Sequence, residues 1–363
     1  MTCIINVLKI NNTIDMKRYE SLDWLRGLMA FAIMIYHLVA WKFVHPESGT
    51  LLGNLGIYGV SIFFVLSGLS MAIVYNSYIK DFQTSTIFFI RRLFRLLPLL
   101  WIAIFVVSAG AYFIQGEFDL YKIFLNITLL FGFVAPEAYI NIGAWSIGNE
   151  VFYYAFTPFL IMLYEKNKHW GNVFVLLLIL IGMYFAFFAI DANSSMKDQW
   201  EAYINPFNNF FLYACGLALY YNFHNIDMSY ISNLLIVVSM AVFCFYPVEG
   251  DQINIVTGFN RIIFSISAIA LTLGFYKWTL DIPNWVSKPF ANLGEATYGV
   301  YLLHPIVFFV INKLFSNPFL CVVLTMVSTI IAANLSYQFY EKKFIKIGKR
   351  FTTFEVKKIE QVS

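Results

Sequence analysis

The chain has 363 residues, of which 60% are hydrophobic and only 12% charged, with a mean hydropathy of +0.70 and a formal net charge of +3. A soluble domain carries about 25% charged residues, and here the apolar residues come in runs long enough to cross a bilayer. A soluble enzyme is excluded, and the fold class that remains is an all-α polytopic membrane protein.

A polar stretch with Lys9, Lys17 and Arg18 separates the N-terminus from the first long apolar run. That is not the pattern of a signal peptide, so the run is expected to be retained as a membrane helix. Apolar segments fall near residues 22–42, 53–77, 93–115, 120–135, 145–165, 172–190, 204–223, 231–247, 257–277, 295–315 and 319–340. The fourth is only about sixteen residues long against the ~20 needed to span, and Pro136 and Glu137 follow it.

The distribution of basic residues arbitrates. If the N-terminus is cytoplasmic and residues 120–135 do not cross, four basic groups all fall inside. These are Lys80 with Arg91, Arg92 and Arg95, then Lys166 and Lys168, then Lys277 and Lys288. The last is the run Lys342, Lys343, Lys346, Lys349, Arg350, Lys357 and Lys358. Outside remain Glu117, Asp119, Asp191, Asp198, Glu201, Glu249 and Asp251, with Lys42 and Lys197 the main exceptions. A crossing at 120–135 would spoil this division. The expectation is ten transmembrane helices, both termini cytoplasmic, and a segment 116–144 that dips part-way into the membrane from outside. The domains are then a cytoplasmic N-terminal segment 1–20, a membrane domain 21–341 and a basic cytoplasmic tail 342–363.

In the first helix, SLDWLRGLMAFAIMIYHLVAW (21–41), no charge occurs between Arg26 and His37. Eleven residues are close to three turns, so the two share a face and sit ~16 Å apart along the axis. An imidazole inside an apolar helix must find a partner, and its default reading is functional. A neutral histidine bonded within the bundle is the plain alternative. His304 is a second intramembrane histidine, whereas His45, His169 and His224 sit in loops. Glu150, in GAWSIGNE (143–150), is the only carboxylate in a long apolar context. If its helix starts at the outer face, Glu150 lies ~7 Å below that start and His37 ~22 Å above an inner start near residue 22. Across a core ~30 Å thick the two reach nearly the same depth. A contact in which the carboxylate orients the imidazole as a general base is expected.

Ile90–Trp101, IRRLFRLLPLLW, puts Arg91, Arg92 and Arg95 at an inner helix end, with Arg91 and Arg95 one turn apart on one face. Membrane anchoring accounts for basic residues there without further function. The functional reading is a phosphate-binding cluster joined by Arg26, because guanidinium forks suit phosphate. IFFVLSG (62–68) sets Ser67 and Gly68 in a bulky helix, either for close packing or for the passage of a slender pantetheine-like chain. YGVYLLHP (298–305) carries Tyr298, Tyr301 and His304, with Pro305 loosening the backbone of a cavity-facing helix. Arg261 is expected to snorkel. Cys3, Cys215, Cys244 and Cys321 show no paired spacing and read as packing residues. No phosphate loop, dinucleotide fingerprint, metal-ligand spacing, nucleophile elbow or fixed-period repeat is found. The basic residues are tied to membrane ends, which gives no support for nucleic-acid binding.

Taken together and in this order, these motifs make the chain resemble the integral-membrane acyltransferase 3 family, which O-acylates bacterial surface sugars, from about Tyr19 to Glu341. LDWLRG with Asp23 precedes the family's Arg-x10-His element, here Arg26 and His37. IFFVLSG is similar to its Phe-Phe-x-x-Ser-Gly element, RRLFRLLPLLW to its arginine-rich third helix, and GAWSIGNE to its Trp-Ser-x-x-x-Glu element. YGVYLLHP is similar to its late tyrosine and histidine motif. Two positions depart from the pattern. The proline that often follows Glu-Lys is replaced by Lys343, which is expected to change only how the tail leaves the membrane. Asn149 stands where a second acidic residue often precedes the glutamate.

The resemblance implies a cytoplasmic acyl-CoA donor, usually acetyl-CoA, and no bound cofactor or metal. The acceptor would be a hydroxyl of a surface or exported glycan, such as O-antigen or exopolysaccharide, and the location the bacterial cytoplasmic (inner) membrane. Arg26, Arg91, Arg92, Arg95 and Ser67 would hold the donor. His37 would act with Glu150 as general base or acyl carrier, and Asp23, Trp145, Ser146, Tyr298, Tyr301 and His304 would touch substrate or support the site. Many relatives carry a fused periplasmic esterase-like domain. None is evident here, so the last transfer would fall to the membrane domain or a separate partner. The alternative reading is a membrane transporter or flippase for a glycan or acyl donor, but neither an inverted repeat nor a pair of broken helices favours it.

Overall fold

A computed structural model describes residues 19–116, 118–279 and 282–360. Cys3, Lys9, Lys17, Arg18 and Glu117, and the side chains of Lys357 and Lys358, lie outside the described residues. Short polar residues set where the apolar runs begin to coil. After α1 (Glu20–Lys42), Thr50 caps α2 (Leu51–Tyr75) by accepting from the Gly53 amide. Asp81 opens α3 (Phe82–Gln115) in a reciprocal capping box with Thr84, and Gly116 closes it at φ 80°. Asp119 caps the short α4 (Leu120–Ile127), and α5 (Phe131–Val134) follows. Asn167 separates α6 (Trp145–Lys166) from α7 (Lys168–Tyr184), which runs on through a π turn, Phe185–Ala189. Then come α8 (Trp200–Ile204), α9 (Pro206–Phe223), α10 (Ser229–Phe245), α11 (Ile253–Val256), α12 (Gly258–Tyr276) and α13 (Asn284–Glu295). The chain ends in α14 (Thr297–Leu314), α15 (Pro318–Ser336), a second π turn, Tyr337–Glu341, and α16 (Lys342–Glu360). With lysine instead of proline at 343 the backbone amide is kept, and the last span continues through the π turn into α16.

The ten segments expected to cross coincide with α1, α2, α3, α6, α7, α9, α10, α12, α14 and α15, and no strand forms among the described residues. Among the described residues seven helical stretches are long and apolar enough to cross a membrane, and α10 is apolar but shorter. The protein is an all-α, multi-pass membrane protein.

The basic groups collect at the end of the bundle where α1 begins. Tyr19 packs on Tyr276 at the end of α12, with ring centroids 5.0 Å apart. Lys277 Nζ donates to the His224 and Ile226 carbonyls after α9. There α13 lies against Asp23 and Gly27 of α1, and α16 lies against Phe94 of α3. At the opposite end the Met196 amide donates to Asp251 and Ser48 donates to the Gly250 carbonyl, so the acidic loops meet one another there.

Residues 118–144 are anchored to the bundle through a few buried side chains, while much of the segment is exposed. Asn126 clips the segment to itself through the Ala138 carbonyl and the Ile140 amide, and Asn141 donates to the Leu302 carbonyl of α14 at 2.9 Å. Gly132 lies against Gly148, where a Cβ would meet the Gly148 carbonyl oxygen at 2.4 Å. The first turn of α6 is thereby drawn into the interior, with Trp145, Ser146 and Asn149 buried. This revises the expected depth of Glu150, which assumed an α6 that starts at the surface. Arg26 is bonded to Ser70, and Glu150 to Ser67 one turn away, so Glu150 lies only ~5 Å beyond Arg26 while His37 lies ~16 Å beyond it.

Two further expectations change. Arg261 does not snorkel but is 2% exposed, donating to the Val256 and Asn208 carbonyls and to Asn209 Oδ1. The reason is that α11 and α12 meet at Thr257, which turns Arg261 toward the start of α9. Gly68 is the site of closest helix approach: its Cβ would meet the Tyr213 carbonyl of α9, and that of Gly216 would meet the Val65 carbonyl of α2. Packing of this kind is what holds helices together in a medium as apolar as they are.

Candidate active site

The close approach of α2 to α9 fixes one wall of a cavity, and α1, α3, α6 and the junction of α13 with α14 supply the others. Its volume is about 130 Å³, and its polar lining includes Arg26, Ser67, Ser70, Arg92, Arg95, Ser146, Glu150, Tyr154, Tyr298 and Tyr301. Arg26 donates to Asp23 Oδ1 at 2.8 Å and to Ser70 Oγ. Ser67 Oγ and Tyr154 OH both donate to Glu150 Oε1. Arg92 donates to Tyr75 OH at 2.9 Å and lies over the same ring, and its Nε is buried without a partner. Arg95 is exposed. Among the described residues neither Arg92 nor Arg95 forms a salt bridge. Two carboxylates, Glu150 and Glu295, also line the cavity, but among the described residues neither is ion-paired to these two guanidinium groups.

Arg91 does not belong to this group. Its Nε donates to Thr352 of α16 at 3.1 Å and its guanidinium lies over the Tyr78 ring. The expectation that Arg91 and Arg95 act from one face fails because the cavity takes the 92/95 edge of α3, while the 91 edge is covered by α16. Three of the four expected guanidinium groups converge.

On α14, Tyr298 donates to the Leu96 carbonyl at 2.8 Å, and Tyr301 OH lies 2.8 Å from Ser146 Oγ and donates to the Gly143 carbonyl. Trp145 stays out of the cavity: its indole packs edge-on against Phe64 and Trp200. Asn149 is fully buried and donates to the Ile204 carbonyl.

His37 lies beyond the cavity, half-buried, and the residue it meets is His304 rather than Glu150. His37 Nδ1 is 2.8 Å from His304 Nε2, and their rings lie nearly parallel at 5.1 Å. Trp41 stacks on His37, with centroids 5.2 Å apart, and also on His304. The expected His37–Glu150 pair is thus replaced by a histidine pair, because Glu150 sits a turn above Arg26, where Ser67 and Tyr154 both bond to it. Tyr301 joins the two parts, with its hydroxyl in the cavity and its ring 6.2 Å from His304.

Ser70, Tyr154 and Trp41 escaped the sequence reading. Each has a helical-spacing signal: Ser70 is three residues from Ser67, Tyr154 four from Glu150 and Trp41 four from His37. Such neighbours lie on one helix face. No group of three or more histidine, cysteine or acidic residues that could hold a metal ion occurs among the described residues.

The sequence profile of the acyltransferase domain of the acyltransferase 3 family matches residues 19–337, which covers every element of this site. The chain belongs to that family. Among curated proteins it is 24% identical, over 92% of its own length, to the peptidoglycan O-acetyltransferase OatA of Listeria monocytogenes. It is 25% identical, over 91% of its length, to a Bacillus subtilis protein provisionally named peptidoglycan O-acetyltransferase YrhL. The chain covers 56% and 55% of those two proteins, so it spans about half the length of the curated relatives it matches. A provisionally named acetyltransferase of Acidianus two-tailed virus is 24% identical over 82% of this chain and 86% of its own. No solved structure is significantly similar.

Proposed function

We propose that the protein is an O-acetyltransferase that moves an acyl group, in the first instance acetyl, from cytoplasmic acyl-CoA to a hydroxyl of a cell-surface or exported glycan. The observation that supports this reading is the layout of the cavity. Arg26, Arg92 and Arg95 converge at the basic end of the bundle, and His37 stands three turns farther along the helix that bears Arg26. The bacterial inner membrane, with the basic end facing the cytoplasm, fits the positive-inside pattern. The peptidoglycan named for two relatives is the first acceptor to try.

Arg92, Arg95 and Arg26 hold the phosphates of the donor, for which fork-shaped cations are suited. The pantetheine arm passes the small side chains of Ser67 and Ser70. Its extended length is on the order of 15–20 Å, comparable with the ~16 Å from Arg26 to His37. His37 then serves in one of two ways. As general base it takes the proton of the glycan hydroxyl while that oxygen attacks the thioester carbonyl, the C–S bond breaks and the sulfur leaves as the thiolate of CoA. As acyl carrier its Nε2 attacks first, releases CoA and passes the acyl group to the hydroxyl in a second step.

The test uses the full chain in proteoliposomes with labelled acetyl-CoA inside and a glycan acceptor outside. The expected result is label on the glycan that His37→Gln abolishes. Absence of transfer to peptidoglycan fragments, O-antigen and exopolysaccharide alike would overturn the reading. CoA release without acceptor, in an amount equal to the enzyme, identifies the carrier route, and its absence the direct one.

A further inference from the structure

Two features of the histidine pair fix where its protons are. His304 Nδ1 is 3.0 Å from the Val300 carbonyl of its own helix. A carbonyl cannot donate, so His304 Nδ1 carries a proton and donates it. His304 is 1% exposed, and among the described residues no carboxylate is bonded to it. A second proton on its ring would be a buried charge without a counter-charge, a costly state. The ring is therefore neutral, and its Nε2 is an acceptor. The 2.8 Å contact can then be filled in one direction only, with His37 Nδ1 donating to His304 Nε2. In neutral His37 this leaves Nε2 without a proton. A free histidine side chain in water prefers the opposite tautomer, with its proton on Nε2.

Resting on the acyl-transfer reading above, we propose that His304 is a positioning residue that holds His37 in the tautomer whose Nε2 lone pair is available to the acceptor hydroxyl or to the acyl group. Its backbone supplies the direction: Val300 orients His304, and His304 orients His37. Trp41, stacked on both rings, keeps them coplanar enough for the bond to persist. The other rings beside His37 do not compete for Nδ1. Tyr36 directs its hydroxyl to Gln252 and lies 3.2 Å from His45 Nε2. When His37 Nε2 takes up a proton, the bond to His304 becomes charge-assisted and shortens. The pair thus stabilises the transition state more than the ground state, and the effect belongs in kcat.

The experiment is ¹⁵N NMR of histidine-labelled protein in bilayers, with the His37 signals assigned by their loss in His37→Gln, alongside initial rates. The wild type is expected to show His37 protonated at Nδ1 and bare at Nε2. His304→Leu removes the acceptor, moves the proton to Nε2, and lowers kcat about tenfold with the donor KM unchanged. His304→Gln, whose amide oxygen accepts from Nδ1, restores part of that rate and the wild-type tautomer. A wild-type His37 protonated at Nε2 overturns the proposal, as does a His304→Leu variant with the wild-type tautomer. Should His304→Leu fail to fold, the wild-type spectrum and the His304→Gln spectrum decide. Because the tautomer is read without turnover, a protein that transfers nothing would sink the acyl-transfer reading and leave the His304 assignment decided by the spectrum.

Discussion

Arg91 and Arg95 are one turn apart on α3, chemically identical and in opposite surroundings, so together they form a controlled test of the donor cavity. Arg91 is occupied by Thr352 and the Tyr78 ring, whereas Arg95 lines the cavity with no salt bridge among the described residues. Replacing each by glutamine removes the charge and keeps most of the stem. A hydrogen bond to a charged partner is worth about 1.5–3 kcal/mol. Arg95 is exposed, and screening by solvent and salt takes the loss to the lower end of that range. At ~1.4 kcal/mol per factor of ten, Arg95→Gln should raise the KM for acetyl-CoA about tenfold, with kcat within about twofold. Arg91→Gln should leave KM unchanged. Initial rates against acetyl-CoA concentration in proteoliposomes give both numbers, and direct titration with CoA should reproduce the ratio. Raising the salt concentration should narrow the gap. An unchanged KM in Arg95→Gln, or an equal rise in both variants, would refute the assignment of the cavity to donor phosphates.

Two further outcomes follow from the packing and the helix caps. A Cβ at Gly68 would stand 1.9 Å from the Tyr213 carbonyl oxygen, whereas one at Gly110 meets nothing within 4 Å. Gly68→Ala should therefore lower the melting temperature by the equivalent of about 1–3 kcal/mol and Gly110→Ala should not lower it at all; equal effects would show that α2 and α9 do not pack as described. Asp81 accepts from the Thr84 amide, a bond that holds its carboxyl below the usual carboxylate range. A depressed folded-state value means that the stabilisation is present above the unfolded value, near pH 4, and is lost as pH falls through the lowered one. Asp81→Ala should cost about 1 kcal/mol at neutral pH. It should speed hydrogen exchange in the first turn of α3, and the difference from wild type should disappear in acid; a difference that persists there would refute the role of the ionised cap.

Much of the architecture is legible in the amino-acid order because its causes are local. Apolar runs of bilayer length must coil to satisfy their own backbone, and Thr50, Asp81, Asn167 and Asn317 mark where four of them start. The Arg26–His37 spacing is likewise local: once α1 is a helix, their shared face and separation follow from its rise. The clustering of basic residues at one end needs only the chain order and the direction of each helix.

What the sequence could not determine is everything that depends on one helix meeting another. Glu150 was misplaced because its depth is set by Asn141 on Leu302 and Gly132 on Gly148, contacts that pull the start of α6 inward. Arg91 was misgrouped because a one-residue step along α3 decides between the cavity and α16, and periodicity alone does not say which edge faces which neighbour. The partner of His37 lies 267 residues away, in a motif that names a histidine but not its direction. Local rules place residues on a helix face; only the packed bundle decides what that face touches. In this protein that difference converts an expected histidine–carboxylate pair into a histidine pair anchored on a backbone carbonyl.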